Sequence, residues 1–181
     1  MDELLLKKLF EEQSQLVLAK TGIRVASMVE LGKLQPQGAP SRYAMISLDM
    51  FKQLRDTVGP MITQIAADYA AGYYHKLRPL CKDPEETMRL IAAMGSTLTG
   101  FGVFELLTNS NETYGANVYN SLELELVDES DPNISHRNVC TYTLGFIKGV
   151  FEAYLGKRVA VTEKLGTKAD KLVQFIVTPK E

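Results

Sequence analysis

The residues best suited to chemistry in this 181-residue chain are few and scattered. It contains two cysteines, Cys81 and Cys140, and two histidines, His75 and His136. Because no CxxC or HxxH pair occurs, the sequence does not predict a self-contained structural zinc site. Neither histidine stands in a nucleophile motif with serine or cysteine, so a hydrolytic triad is not supported.

Composition narrows the functional class further. Hydrophobic residues make up 45% and charged residues 23% of the chain, as in an ordinary globular domain. A net charge of -2 gives no basic footprint for nucleic acid, and no GxGxxG or P-loop pattern indicates a nucleotide or other cofactor. Glycines and charges interrupt the apolar runs well before the roughly 18 residues of a membrane span. We expect a cytoplasmic protein with reduced thiols, since the first residues do not resemble a secretory signal.

The N-terminal part is predicted to be an extension, residues 1–40, in front of a domain at 41–181. Residues 2–12 have the apolar spacing of a short helix, and residues 15–18 and 23–29 read as strands. Shortly after this strand, the ten residues from Gly32 to Ser41 contain two prolines and two glycines, which favours a loop and a domain boundary.

The domain itself alternates between helical and strand-like patterns. Asp49 and Asp83 are suitable N-caps, Pro60 and Pro84 suit the first positions of helices, and Gly156 suits a helix C-terminus. The order is helices, hairpin, helix, hairpin, which predicts an α+β fold with an antiparallel sheet of about four strands and helices packed on it. Helices are predicted to start at Met50, Met61 and Pro84 and to cover 138–155, and strands are predicted at 103–107, 118–126, 158–163 and 171–177.

Four ordered segments carry a resemblance to a known family. They are Thr99 to Glu105, Asn120-Ser121, Val139-Cys140 with Gly145 to Glu152, and Leu155 to Glu163. Together they resemble the 4-vinyl-reductase domain family, whose architecture also occurs in core subunits of the TRAPP vesicle-tethering complex. The resemblance extends over residues 41–179, about three quarters of the chain.

The resemblance implies a non-catalytic module that binds or senses a small hydrophobic molecule, such as a hydrocarbon, lipid or aromatic compound. Any output would pass through a protein partner, because no DNA-binding or ATPase segment is recognisable. The alternative is a structural assembly or tethering subunit of the TRAPP kind. A reductase role is the least supported, because the domain supplies no obvious hydride donor.

The resemblance also implies a ligand pocket between the helices beginning near Met61 and Asn138 and the sheet. At helical spacing, however, the stripe that starts at Met61 is more often plain core than the lining of a cavity. Gly145 and Gly149 favour close helix packing, with room for a ligand as the alternative. The candidate ligand-binding residues are Met61, Ile65, Tyr69, Tyr73, Phe101, Phe104, Tyr142, Phe146 and Gly149.

A departure from the family pattern concerns zinc. Sensor members carry Cys, then Glu 23 residues on, then Cys three further and Cys eight further. Cys140 and Glu163 match the first two positions, but Gly166 and Gln174 replace the two later thiolates. Glycine has no side-chain ligand and an amide is a poor one, so we expect a degenerate, zinc-free site.

Three further expectations follow from the sequence. Residues 81–87 resemble a Cys-x-Asp-x-x-Glu-Thr segment of a TRAPP core subunit, so Cys81 is either a candidate for acylation or an ordinary thiol before a helix. Glu123 and Glu125 alternate with leucines, which predicts the solvated face of a half-buried strand. Finally, two helices predict a homodimer, because they are more apolar than a small monomer needs: the helix from Met61 to Tyr73 and the N-terminal helix with Leu4, Leu5 and Leu9.

Overall fold

The computed structural model describes residues 3–21, 48–99, 101–108, 114–126, 139–165 and 172–180. Within these ranges the chain forms six α-helices, a 3-10 turn and four strands. The helices are α1 (Glu3–Thr21), α2 (Leu48–Val58), α3 (Met61–Leu77), α4 (Pro84–Leu98), α5 (Leu122–Glu125) and α6 (Thr141–Leu155). The strands are β1 (Val103–Thr108), β2 (Tyr114–Tyr119), β3 (Val159–Leu165) and β4 (Leu172–Pro179).

The four strands form one antiparallel sheet in the order β1-β2-β4-β3. Strand β4 shows why one face is covered: Val173, Phe175 and Val177 are buried, while the residues between them are exposed. This period of two places every second side chain against the helices. The predicted α+β fold with a four-stranded antiparallel sheet is confirmed.

Helices α3 and α6 pack with their backbones in contact. A Cβ atom on Gly149 would overlap the backbone of Ala67 and come within 2.8 Å of its Cα. One turn earlier, a Cβ on Gly145 would come within 2.9 Å of Thr63 Cα. The Thr63 hydroxyl also donates a hydrogen bond to the Thr141 carbonyl, at 3.1 Å. The two glycines therefore serve close packing, and they leave no room for a ligand between α3 and α6.

The predicted capping signals are confirmed for α4 and for the end of α6 but are wrong for α2 and α3, because α2 already begins at Leu48, which puts Asp49 in its first turn, and Pro60 is the N-cap of α3. Asp83 precedes α4 in an extended conformation, and its Oδ1 accepts a hydrogen bond from the Glu86 N–H at 2.6 Å. Gly156 ends α6 with φ +66°, a left-handed conformation that glycine adopts without steric cost. Asp83 thus marks where α4 begins, and Gly156 marks where α6 ends.

Two predicted strand segments are wrong. Residues 15–18 belong to α1, because Gln13 and Val17 are buried one helical turn apart, with Leu9 and Leu16 partly buried beside them. Strand β2 ends at Tyr119, and Asn120 then adopts φ +51°, which turns the chain into α5. The predicted strand at 23–29, the loop at 32–41 and the boundary near residue 40 lie outside the described residues.

No helix among the described residues is long and apolar enough to cross a membrane.

The close α3–α6 contact predicts a strong asymmetry between two Gly→Ala changes. Gly149→Ala should lower the free energy of unfolding by at least ~2 kcal/mol, because the methyl group meets backbone that has to move. Gly72→Ala is the control, since Gly72 is exposed on α3 with no heavy atom near its Cβ position. It should raise stability by about 0.5–1 kcal/mol. Urea unfolding of both variants tests this, and equal effects would contradict the packing.

Candidate functional site

The space predicted to hold a ligand is filled by side chains. Tyr73, Phe104 and Phe146 are all buried in one hydrophobic core. The rings of Phe104 and Phe146 lie 5.6 Å apart. The Tyr73 hydroxyl donates to Met94 Sδ at 3.3 Å. These predicted site residues are brought together, but as a packed core.

A second pair of predicted residues forms a separate aromatic cluster. Phe101 and Tyr142 stack with ring centroids 4.4 Å apart, and Phe51 of α2 meets Phe101 edge-on at 5.0 Å. Such edge-on and stacked contacts are favourable arrangements of aromatic quadrupoles. The cluster attaches α2 to the start of β1 and of α6. Burial raises the pKa of the Tyr142 hydroxyl.

The rest of the predicted stripe faces the other way. Met61, Ile65 and Tyr69 are 66%, 54% and 40% exposed on the outer side of α3. The inner side of α3 presents Ala66 and Ala70, both fully buried. The prediction that Met61, Ile65, Tyr69 and Gly149 line an interior pocket is therefore wrong for the single chain. The backbone contact with α6 requires small residues on the inner side, so the larger ones lie outside.

The structure opens a groove elsewhere, between α1, α4 and β1, with a volume of about 230 Å³. Its floor is formed by Gln13, Ala92 and Phe104, all at least nine-tenths buried. Leu9, Leu16 and Leu106 add apolar walls, so most of the lining is hydrocarbon. The charged residues at the groove are Glu12, Arg89 and Glu105.

Gln13 is the polar group on this floor. Its Nε2 donates to the Phe104 carbonyl at 2.7 Å, while the Phe104 N–H donates to Ser96 Oγ at 2.8 Å. Gln13 is only 8% exposed, and its Oε1 is buried without a hydrogen-bond partner among the described residues. A buried amide oxygen without a donor is unfavourable. With almost no accessible surface of its own, this oxygen lies just beneath the apolar floor of the groove.

The charged residues of the groove differ in their exposure to solvent and in their hydrogen bonds. Arg89 and Glu12 are exposed, whereas Glu105 is half-buried. Glu105 Oε2 accepts hydrogen bonds from Asn117 Nδ2 and the Tyr119 hydroxyl, both at 2.9 Å. Burial and this carboxylate raise the pKa of Tyr119 to about 12, so the phenol stays protonated. Glu105 is thus held by the sheet, and Arg89 and Glu12 carry charge toward solvent.

A second polar cluster surrounds the N-terminus of α6. Glu163 of β3 accepts hydrogen bonds from the N–H groups of Val139 and Cys140, each at 3.1 Å. Glu123 of α5 accepts from the N–H groups of Tyr142 and Thr143, at 3.0 and 2.9 Å. Carboxyl groups suit this position, because unpaired N–H groups and the helix dipole favour negative charge there.

Glu123 contradicts the prediction of a solvated strand face. It is 0% exposed and helical, while Glu125 is exposed. Burial raises the pKa of Glu123, and the N–H bonds from α6 act against that shift. Burial likewise raises the pKa of Glu163 to about 7, and it raises the pKa of the Cys140 thiol. The two carboxyl groups of this cluster are therefore either protonated or held by strong hydrogen bonds.

The same cluster contains the first half of the degenerate zinc pattern. Cys140 and Glu163 are adjacent, but Gln174 is exposed on β4 and donates to Asn117 Oδ1 at 3.3 Å, and Gly166 lies outside the described residues. The described part of the chain holds no group of three or more His, Cys, Asp or Glu residues able to bind a metal. The arrangement supports the capping of α6.

The other cysteine lies in the core. Cys81 is buried beside α4, and its carbonyl accepts a hydrogen bond from Arg78 Nη1 at 2.9 Å. It does not line the groove. His75 is exposed, and His136 lies outside the described residues. Acylation of Cys81 stays a prediction that intact-mass measurement can test.

Sequence reasoning missed the two polar residues that matter most here, Gln13 and Glu123. A signal for Gln13 exists: it lies between Leu9 and Leu16 on the apolar side of α1. Glu123 had no comparable signal, because its alternation with leucines is typical of a strand.

Comparison with solved structures shows a shared fold. The phenol-responsive sensory domain of the transcription activator PoxR, solved with phenol, superposes with a TM-score of 0.61 at 14% identity, covering 86% of this chain and 88% of that one. A vinyl-4-reductase family protein from Methanocaldococcus jannaschii superposes with a TM-score of 0.50 at 16% identity, covering 77% and 85%. At the level of sequence, no protein-family model and no curated protein matches. The predicted resemblance to 4-vinyl-reductase domains is thus confirmed as a resemblance of fold.

The buried acid at α6 predicts a pH-dependent stability. The folded chain keeps the Glu163 proton up to about pH 7, whereas an unfolded chain loses it near 4.5. The stability due to this proton is complete below pH 4.5 and is lost as the pH rises to 7. Across that range the free energy of unfolding of the wild type should fall by on the order of 1–3 kcal/mol as Glu163 loses its proton. Glu163→Gln should not show this fall, because glutamine does not titrate.

Denaturant unfolding between about pH 4.5 and 8 measures this difference. Glu125→Gln is the control, since Glu125 is an exposed carboxyl on α5. Glu123 of the same cluster is present in both variants, so the stability of each variant keeps the pH dependence that Glu123 contributes. Identical slopes for wild type and Glu163→Gln would contradict the assignment.

We also expect no stoichiometric zinc, because glycine and an amide replace two thiolates of the family pattern. Elemental analysis of chain purified without chelator measures it. One zinc retained per chain would show that the prediction is wrong.

Proposed function

We propose that this chain is a non-catalytic module that binds a small, mainly apolar molecule in the groove between α1, α4 and β1. The observation that supports this proposal is the groove itself, which has a volume of about 230 Å³, apolar walls and one buried polar residue, Gln13, at its floor. For comparison, an engineered apolar cavity of about 150 Å³ is sufficient to bind benzene. A compact ligand with one polar group fits this combination of volume and lining.

Two further observations support the proposal. The fold is shared with a sensory domain solved with phenol, so this architecture accommodates small-molecule recognition in that protein. The residues that line the groove include no cysteine, histidine or serine, so the groove offers no nucleophile paired with a base among the described residues. Binding rather than catalysis is the function that this chemistry supports.

Filling the groove should abolish binding. Ala92→Leu places three extra carbons on the floor, whereas Ala71→Leu adds the same volume on α3, which does not line the groove. A ligand at about one hundred times its Kd stabilises by about 2.7 kcal/mol, which raises Tm by roughly 5–11 °C at this chain length. A thermal-shift screen of small apolar compounds should show such shifts for wild type and Ala71→Leu and none for Ala92→Leu.

Two results would contradict the proposal. One is a screen in which no compound shifts the wild-type Tm, and the other is shifts that persist in Ala92→Leu. Because the substitution itself can alter stability, shifts are compared with the Tm of each variant alone.

A second role is favoured by the exposed apolar stripe of α3. Met61 and Ile65 are more than half exposed, and Tyr69 continues the stripe one turn further. We propose that this stripe is a homodimer interface; a tethering-type assembly with another protein through the same face is the alternative. Helix-to-helix pairing would bury large side chains that a monomer leaves in water.

Sedimentation tests the dimer directly. We expect a mass of about 40 kDa at micromolar concentration, twice the 20.1 kDa of one chain. Ile65→Glu should return the mass to that of one chain, and Gln53→Glu, which adds the same charge at an exposed position of α2, should leave the dimer intact. A wild-type mass near that of one chain would refute the interface.

A further inference from the structure

We infer that the ligand of the groove is a neutral, compact apolar molecule with one O–H or N–H donor, and that Gln13 Oε1 accepts this hydrogen. The inference rests on the proposed function, because it specifies the chemistry of the same site. It follows from the orientation of one carboxamide and from what surrounds it.

The orientation of the Gln13 carboxamide is set by the sheet. Its Nε2 is held by the Phe104 carbonyl at 2.7 Å, so the nitrogen side of the amide is committed. Swapping the oxygen and nitrogen would place two carbonyl oxygens together, which is repulsive. The oxygen is therefore fixed on the other side, and it has no donor among the described residues. It also has almost no accessible surface of its own, so a ligand donor satisfies it when the apolar side chains beside it move aside.

The surroundings of that oxygen indicate a neutral donor. Beside Gln13 the floor and walls are hydrocarbon, from Ala92, Phe104 and Leu16. The exposed charges, Arg89 and Glu12, lie where solvent reaches them, and the half-buried Glu105 carboxylate is held by hydrogen bonds from the sheet. A charged ligand group on the floor would lose its water without gaining a counter-charge there, whereas a hydroxyl or N–H would lose little. An ammonium or carboxylate is thus disfavoured at this end of the ligand.

The volume sets the size. An apolar cavity of about 150 Å³ binds benzene, and 230 Å³ is about one and a half times that volume. By the same ratio the six ring carbons of benzene become about nine non-hydrogen atoms, which is a fused two-ring molecule. Indole is a suitable probe because its N–H is a donor and it has no competing hydroxyl. Benzofuran has the same shape with an ether oxygen in place of the N–H.

The experiment compares the Kd of indole, benzofuran and 1-methylindole for the full chain, by calorimetry or ligand-observed NMR. A hydrogen bond to a buried acceptor is worth about tenfold in affinity. Indole should bind about tenfold more tightly than benzofuran and 1-methylindole. Tryptamine, which adds an ammonium group, should bind no more tightly than indole.

Two variants assign the effect to Gln13. Gln13→Met keeps the side-chain length but removes both amide groups, so the indole-to-benzofuran preference should fall to about one. Ser96→Ala removes the partner of the Phe104 N–H on the same edge of the sheet and leaves Gln13 in place. It should retain the tenfold preference, which controls for loosening of β1.

The outcomes separate this inference from the proposed function. Equal binding of indole and benzofuran by wild type overturns the inference and leaves ligand binding standing. A preference that persists in Gln13→Met overturns the assignment to Oε1. Should that variant fail to fold, the wild-type comparison still decides, together with the Gln13 side-chain ¹⁵N resonance, which should shift more with indole than with benzofuran. Failure of all compounds, including those of the wider screen, overturns the proposed function itself.

Discussion

The backbone contact between α3 and α6 is the constraint on which the rest of the architecture depends. Gly145 and Gly149 stand four residues apart, and so do Thr63 and Ala67, the residues they approach. Rows spaced by four residues are the ridges that let two helices interlock, and glycine removes the side chain that would hold them apart. With one side of α6 against α3, its opposite side, including Ile147, Val150 and Phe151, is fully buried in the core with the sheet. The space between these layers is therefore core, and a ligand site has to lie elsewhere.

The position of α6 along its own axis is fixed at its N-terminus. Glu123 and Glu163 come from different elements, α5 and β3, yet both accept N–H groups at the same helix end. A fully buried acid such as Glu123 is tolerated because two backbone donors face it. The carboxyls thus connect the turn after β2, the start of α6 and the strand that follows α6. Their raised pKa values are the consequence of placing that connection in the interior.

Local signals in the sequence predict much of this fold, and residues whose role depends on distant partners explain the failures. Asp83 and Gly156 mark helix ends through interactions within a few residues, so their roles are readable. The alternation around Glu123 has the period of a strand, but the left-handed Asn120 and the partners on α6 decide otherwise. Apolar spacing finds the helix that begins at Met61, yet it cannot tell which side faces α6. That side is chosen by the need for small residues at the contact, which places the large apolar side chains in solvent.

The groove follows from how the sheet ends at β1. An edge strand leaves backbone groups without a neighbouring strand, and proteins cover such edges. Here Phe104 directs its N–H and C=O away from β2, and side chains from two helices, Ser96 and Gln13, satisfy them. A carboxamide has a donor and an acceptor, but the Phe104 carbonyl needs only the donor. Because the edge is covered by a helix and not by a strand, a space lined by leucines stays open and the side-chain oxygen of Gln13 is buried without a donor. Such an oxygen and an apolar space together are the requirements for a small site that recognises a single donor group, and the sequence of α1 shows neither until β1 is placed beside it.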